Sequence, residues 1–239
     1  MKKIFYFIII LSVANTVFAQ NKKLTLYYPD STKIVNIAGL DSMVIFICGS
    51  SKVSYGGKDY NTVLIGNQCW LKENLDVGVM IQGSQNSTNN GVIEKYCYNN
   101  DTSNCNTYGG LYQWREAMQY ITNEGTRGIC PEGWHIPAEV EFAALKTFVG
   151  GDGNSLKAID QGTGAGQGTD LYGFSALLAG NKETNHIFLD IGRIGHFWSS
   201  TSSNTNVPHY YLWNDRSDFT QHWGVYSTYG FSVRCIKDN

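Results

Sequence analysis

The chain has 239 residues, 13% of them aromatic and 16% charged, and a formal net charge of −2. A balance this close to neutral supplies no basic stripe to neutralise a phosphate backbone, so nucleic acid is not an expected partner.

The chain opens Met1-Lys2-Lys3, runs apolar over residues 4–14, and reaches Val17-Phe18-Ala19. A basic start, a short apolar stretch and small residues at −3 and −1 of a cut after Ala19 read as a secretory signal peptide over 1–19. The apolar run is too short to span a bilayer, and no later run is longer. The mature chain is therefore expected to be exported, to the periplasm, the cell surface or the medium, with no integral membrane segment. Its six cysteines are Cys48, Cys69, Cys97, Cys105, Cys130 and Cys235. Export permits disulfides, and an even count fits a disulfide framework. Cys97 and Cys105 flank a short polar loop whose closure is worth roughly 2–3 kcal/mol. Zinc is not expected, because no CxxC or HxxxH spacing occurs.

Residues 20–53 read as a small β leader and linker, with strands over 23–28, 33–37 and 41–47 separated by turn residues. The main domain is placed at 54–239. Short strands are expected over 60–65 and 69–71, and residues 82–91 read as a polar surface loop. Leu111, Trp114, Met118 and Ile121 recur at helical spacing and predict a first helix. Pro137 suits the first position of a second helix, Glu139 and Glu141 suit its dipole, and Phe142, Leu145 and Val149 line one face. The Gly-rich stretch 150–180 lacks the GxxxxGK[ST] pattern of a phosphate loop. Strands follow over 195–201, 210–213, 223–226 and 231–236. Helices first and strands later predict an α+β domain, with two main helices and short antiparallel strands.

Several segments together resemble a known family. They are Ile65-Gly66-Asn67-Gln68, Trp70-Leu71-Lys72-Glu73-Asn74-Leu75, Tyr108-Gly109-Gly110-Leu111-Tyr112 with Trp114, and Cys130-Pro131-Glu132-Gly133-Trp134-His135-Ile136-Pro137. Gly173-Phe174-Ser175-Ala176-Leu177, Phe197-Trp198-Ser199-Ser200 and Ser232-Val233-Arg234-Cys235 complete the series. In this order they resemble the Fibrobacter succinogenes major paralogous domain of secreted bacterial proteins, a family with no established biochemical activity. Residues 133–142 are also similar to the G-x-R-L-P-T-E-A-E-W segment of formylglycine-generating enzymes, with His135 in place of Arg and Phe142 in place of Trp. That resemblance implies a C-type-lectin-like fold and pairs Cys130 with Cys235. It gives Cys97–Cys105 as the second bridge and leaves Cys48 and Cys69 either paired or free.

The residues suggest no catalytic set. Oxidative copper chemistry needs a free, accessible thiol pair, and no GxSxG elbow is present. Glu139 and Glu141 are two apart on a helix and face different ways. The five histidines never reach metal-ligand spacing, and His135 is expected to bond backbone within its turn. Trp213-Asn214-Asp215 resembles the triplet of lectin calcium sites, but the upstream Asn206-Val207-Pro208-His209 lacks the carboxylate that calcium coordination calls for. No cofactor is expected, with calcium left as the open alternative. Aromatic residues crowd the last third: Trp198, Tyr210, Tyr211, Trp213, Trp223, Tyr226 and Tyr229. Tyr211 and Trp213 share one face of a strand, Tyr210 and Leu212 the other. The candidate ligand-binding residues are therefore Tyr211, Trp213, Asn214, Asp215 and Trp223. The expected role is non-catalytic binding at the bacterial surface, with a glycan or polysaccharide as ligand. A protein-interaction or structural module is the second reading, and a cryptic oxidative enzyme the third.

Overall fold

The computed structural model describes residues 23–28, 31–36, 46–202 and 207–238. The chain forms two compact units, Met1–Phe46 and Ile47–Asn239. In the first, β1 (Lys23–Tyr28) and β2 (Ser31–Asn36) pair antiparallel, in register from Lys23 opposite Asn36 to Tyr28 opposite Ser31. The expected signal segment and residues 41–45 of the expected third strand lie outside the described residues.

The second unit carries β3 (Val53–Tyr55), β4 (Lys58–Tyr60), β5 (Thr62–Ile65), β6 (Gln68–Leu71), β7 (Val79–Met80) and β8 (Glu94–Lys95). Then come α1 (Thr102–Tyr108), β9 (Tyr112–Gln113), α2 (Trp114–Ala117), β10 (Trp134–His135) and α3 (Glu139–Phe148). It ends with β11 (Ala179–Lys182), β12 (Phe188–Ile191), β13 (Ile194–Trp198), β14 (Val207–Trp213), β15 (Phe219–Val225), β16 (Gly230–Phe231) and β17 (Ile236–Lys237). A large sheet runs β15-β14-β13-β11-β16-β9, with β12 also on β11, and a smaller one runs β10-β17-β6-β5.

This mostly β architecture overturns the expected α+β fold with two main helices, and the C-type-lectin-like reading tied to it. Among the described residues, only α3, ten residues long, resembles a main helix. The first expected helix shrinks to the four residues of α2. Tyr112 and Gln113 pair with β16 instead, and Gln119 and Tyr120 take positive φ (50° and 59°) and end the helix. Leu111, Trp114 and Met118 are still buried, but a strand, a helical turn and a bend deliver them to the core, while Ile121 is exposed. Hydrophobic spacing therefore marked burial and not helix. Pro137 also falls outside α3. Its carbonyl accepts hydrogen bonds from Ser199 Oγ (3.1 Å) and Ser200 N (2.8 Å), tying the helix-launching turn to the end of β13.

Three disulfides clamp the second unit: Cys48–Cys69, Cys97–Cys105 and Cys130–Cys235. The first holds the loop before β3 against β6, so this unit begins at Ile47, ahead of the boundary placed at residue 54. One core cluster gathers Trp114, Trp134, Trp198, Tyr112 and the Cys130–Cys235 bridge; a second gathers Trp70, Phe142, Phe174, Phe197 and Tyr210. Indole N–H groups are satisfied where the core allows: Trp198 donates to Tyr112 O (2.7 Å) and Trp114 to Ser199 O (2.8 Å). Arg234 is wholly buried. Its guanidinium donates to Asn74 Oδ1 (3.2 and 2.8 Å), Leu71 O (3.2 Å) and Phe174 O (2.6 Å), and lies 4.5 Å from the Phe174 ring centroid. Burial pulls its pKa down to about 9, so it stays cationic at neutral pH.

Candidate functional site

Strand alternation splits β13, β14 and β15 into two faces. Phe197, Tyr210, Leu212 and Phe219 face the core, where Tyr210 stacks on Phe142 of α3 at 4.6 Å between ring centroids. The other face carries Ile194 and His196 from β13, His209, Tyr211 and Trp213 from β14, and His222 from β15. The pairing sets His196 opposite Tyr211, Trp198 opposite His209, and His209 opposite His222. Register shifts between Val207 and His209, and an irregularity of this kind bends and twists a strand pair. The face so formed is a concavity of about 270 Å³, closed by Asn181, Glu183, Asp190, Tyr229 and Phe231.

Its floor is aromatic. Phe231 stacks on His196 (4.5 Å between centroids) and packs on His209 (4.7 Å). Tyr211 meets Trp213 edge-on at 6.0 Å, and the Arg216 guanidinium lies 4.8 Å from the Trp213 ring centroid, a cation–π contact that helps hold the indole in place. Burial pushes the His196 pKa down to about 3, with His222 adding to the effect. Burial pushes His209 down to about 2, with His196 and His222 adding to it. Both rings are neutral at any physiological pH, so each offers one donor and one acceptor. Among the described residues, His196 Nδ1, His209 Nδ1 and Trp213 Nε1 are buried polar atoms with no hydrogen-bond partner, and all three residues line this concavity. Buried polar groups are nearly always paired, and an orphan costs roughly 1–3 kcal/mol. Of the two carboxylates in the lining, Asp190 pairs with Arg193 (2.8 Å), while Glu183 has no ion pair among the described residues.

The structure gathers only part of the expected site. Tyr211 and Trp213 line the concavity. Asn214 and Asp215 lie in the β14–β15 turn outside it. Asn214 is held through its backbone, donating to Arg193 O and accepting from Thr163 N; Asp215 is exposed beside Arg216. Trp223 is 42% exposed on β15 and does not line the concavity. Among the described residues, no group of three or more His, Cys, Asp or Glu is placed to hold a metal ion. Sequence reasoning missed His196, His209, His222 and Phe231. The available signal was the i, i+2, i+4 series His209, Tyr211, Trp213, which puts an imidazole on the same strand face as the two aromatics.

His135 also departs from expectation. Its ring bridges two carboxylates instead of bonding backbone, with Nδ1 at 2.7 Å from Asp238 and Nε2 at 3.0 Å from Glu141. Burial opposes its charge, but the two carboxylates outweigh that and raise the pKa above the ordinary value. Glu141 also accepts from Ala138 N (2.8 Å), closing the first turn of α3.

These features define a mostly β module held by three cystines, the pattern of proteins that fold in oxidising compartments. Residues 63–237 match the Fibrobacter succinogenes major domain, and the chain belongs to that family. No curated protein and no solved structure matches it. The three disulfides, with no helix among the described residues long and apolar enough to cross a membrane, are consistent with export.

Proposed function

We propose that this domain is a non-catalytic binding module of the bacterial surface and that its concavity takes a saccharide unit of a glycan. The observation that carries the reading is an aromatic floor joined to uncharged imidazoles that line the concavity. A sugar ring offers an apolar C–H face for Tyr211 and Trp213 to pack against, and hydroxyls that both donate and accept. Neutral imidazoles match hydroxyls in both senses, whereas imidazolium only donates. The free Glu183 carboxylate disfavours an anionic ring and accepts from a hydroxyl. The volume of about 270 Å³ sits at the small end of ligand clefts, usually ~300–1,000 Å³, which suits one ring better than a long segment.

The test is affinity electrophoresis of the purified protein through gels cast with a panel of neutral polysaccharides, with calcium and with chelator. Retardation on at least one polymer is expected, abolished by Trp213→Ala and weakened by His209→Phe, and insensitive to chelator. Circular dichroism checks that both variants are folded. Unretarded migration in every gel, or retardation indifferent to Trp213→Ala, overturns the reading.

A further inference from the structure

We propose a second ligand site, independent of the first, that takes an oxyanion: a carboxylate or a sulfate group, free or carried on a sugar. A cleft of about 360 Å³ is lined by Lys58 of β4, Asn61, Lys72, Glu73, Thr107 and Ser175, among others. Asn61 and Lys72 also line an adjoining hollow of about 260 Å³ whose lining includes Ser50, Ser51 and Thr62. The loop carrying Ser50 and Ser51 is fixed there by the Cys48–Cys69 bridge and by Thr62 Oγ1 donating to Ser51 O (2.7 Å).

The cleft holds positive charge that the protein does not use. Among the described residues, Lys58 and Lys72 have no ion-pair partner and neither ammonium has a hydrogen-bond acceptor; Lys58 Nζ approaches the Tyr60 ring, at 5.7 Å from its centroid. Glu73 is the sole carboxylate in the lining, and both its oxygens are taken: Oε2 accepts from Asn61 N (2.8 Å) and Oε1 from Asn61 Nδ2 (2.6 Å). Two cations therefore face the cleft beside a carboxylate that is already satisfied. Lys95, by contrast, is paired with Asp76.

The walls are rigid, which lowers the entropy lost on binding. Asn74 is locked between Arg234 and two acceptors, Tyr108 O (2.9 Å) and Ser232 Oγ (3.3 Å). Ser175 is tied to Asp170 through both its N (2.7 Å) and its Oγ (2.7 Å). Three of the segments that carry the family resemblance, those around Lys72, Tyr108 and Ser175, meet in this cleft.

The experiment labels the lysines by reductive ¹³C-dimethylation, which keeps their charge, and follows them by NMR. Sodium sulfate and sodium glucuronate are titrated against sodium chloride at matched ionic strength. Saturable shifts are expected for Lys58 and Lys72 and not for exposed Lys52. Preference for sulfate identifies a tetrahedral oxyanion, preference for glucuronate a carboxylate. Lys72→Gln is expected to weaken binding roughly tenfold, the loss of one charge-assisted contact, while leaving the unfolding midpoint in place. Trp213→Ala, which empties the first site, is expected to leave these shifts intact, so the two readings fail separately. Linear shifts with both anions, or equal shifts at Lys52, overturn the proposal.

Discussion

Replacing Arg234 by Met tests whether the buried guanidinium holds the domain together. The side chains are similar in length and both are apolar near the backbone, so little cavity opens. What is lost is four hydrogen bonds to three acceptors: Asn74 Oδ1, Leu71 O and Phe174 O. Exchanging a buried ion pair for apolar groups is often neutral, because both partners' desolvation penalties vanish together. Here the partners stay. Three buried acceptors lose their donors at roughly 1–3 kcal/mol each, against which the relief of burying one cation counts as a gain. A net loss of about 3 kcal/mol is the expected balance. Leu71 and Asn74, Phe174, and Arg234 itself lie on three separate segments, so the loss is global and not local. Urea unfolding under oxidising conditions, followed by tryptophan fluorescence, measures it. Arg234→Lys, which keeps a charged donor near the same acceptors, is expected to lose less than Arg234→Met. A Met variant within roughly 0.5 kcal/mol of the parent, the size of an ordinary surface substitution, or a Lys variant no better than Met, would refute the reasoning.

Without reductant, the protein is expected to show no titratable thiol even when unfolded, since no described cysteine is free. Removing Cys130–Cys235 as a double Ala variant is expected to destabilise by about 4–5 kcal/mol in the chain-entropy account, and removing Cys97–Cys105 by about 2–3 kcal/mol, because the loops differ so much in length (separations of 105 and 8). His196 and His209 titrate below their unfolded value, so the unfolded chain takes up protons first. Their contribution is full above about pH 6.5 and falls as pH drops towards 3, by up to ~1.4 kcal/mol per pH unit per ring, and His209→Phe flattens that slope in pH-dependent unfolding. His135 has the opposite sign. Its raised pKa stabilises below about 6.5 and the benefit fades as pH rises through the folded value, so His135→Gln is expected to lose more at pH 5 than at pH 8.

The sequence carried the burial pattern better than the secondary structure. Phe174, Ala176 and Leu178 alternate and are all fully buried, as their apolar character implied. Leu111, Trp114 and Met118 are buried too, but the backbone between them is strand, short helix and bend. Spacing of i, i+3 and i+7 records which residues face inward; it records a helix only if the intervening backbone can stay helical, and Gln119 and Tyr120 do not let it. The same limit explains His135. A histidine beside two prolines looks like a turn residue that bonds backbone, yet one of its carboxylate partners, Asp238, is 103 residues away in the chain.

Long-range pairing also decides which part of the candidate site was legible. Tyr211 and Trp213 share a face because period two is local, and that much could be read directly. His196 joins them only through the β13–β14 register and His222 only through β14–β15, neither of which is written near those residues. Asn214 and Asp215 drew attention because adjacent oxygen ligands suggest calcium, but adjacency is not convergence: the turn they occupy spends Asn214 on backbone contacts and leaves Asp215 in solvent beside Arg216. The site's chemistry is therefore set by what burial does to imidazole and not by a motif. A histidine at the surface would titrate near neutral pH and bind as a cation for half its range. Buried on β13 and β14 and packed on Phe231, His196 and His209 stay uncharged. An uncharged donor–acceptor pair is what a hydroxyl requires, and an anion would instead be drawn to the unpaired ammonium groups of Lys58 and Lys72.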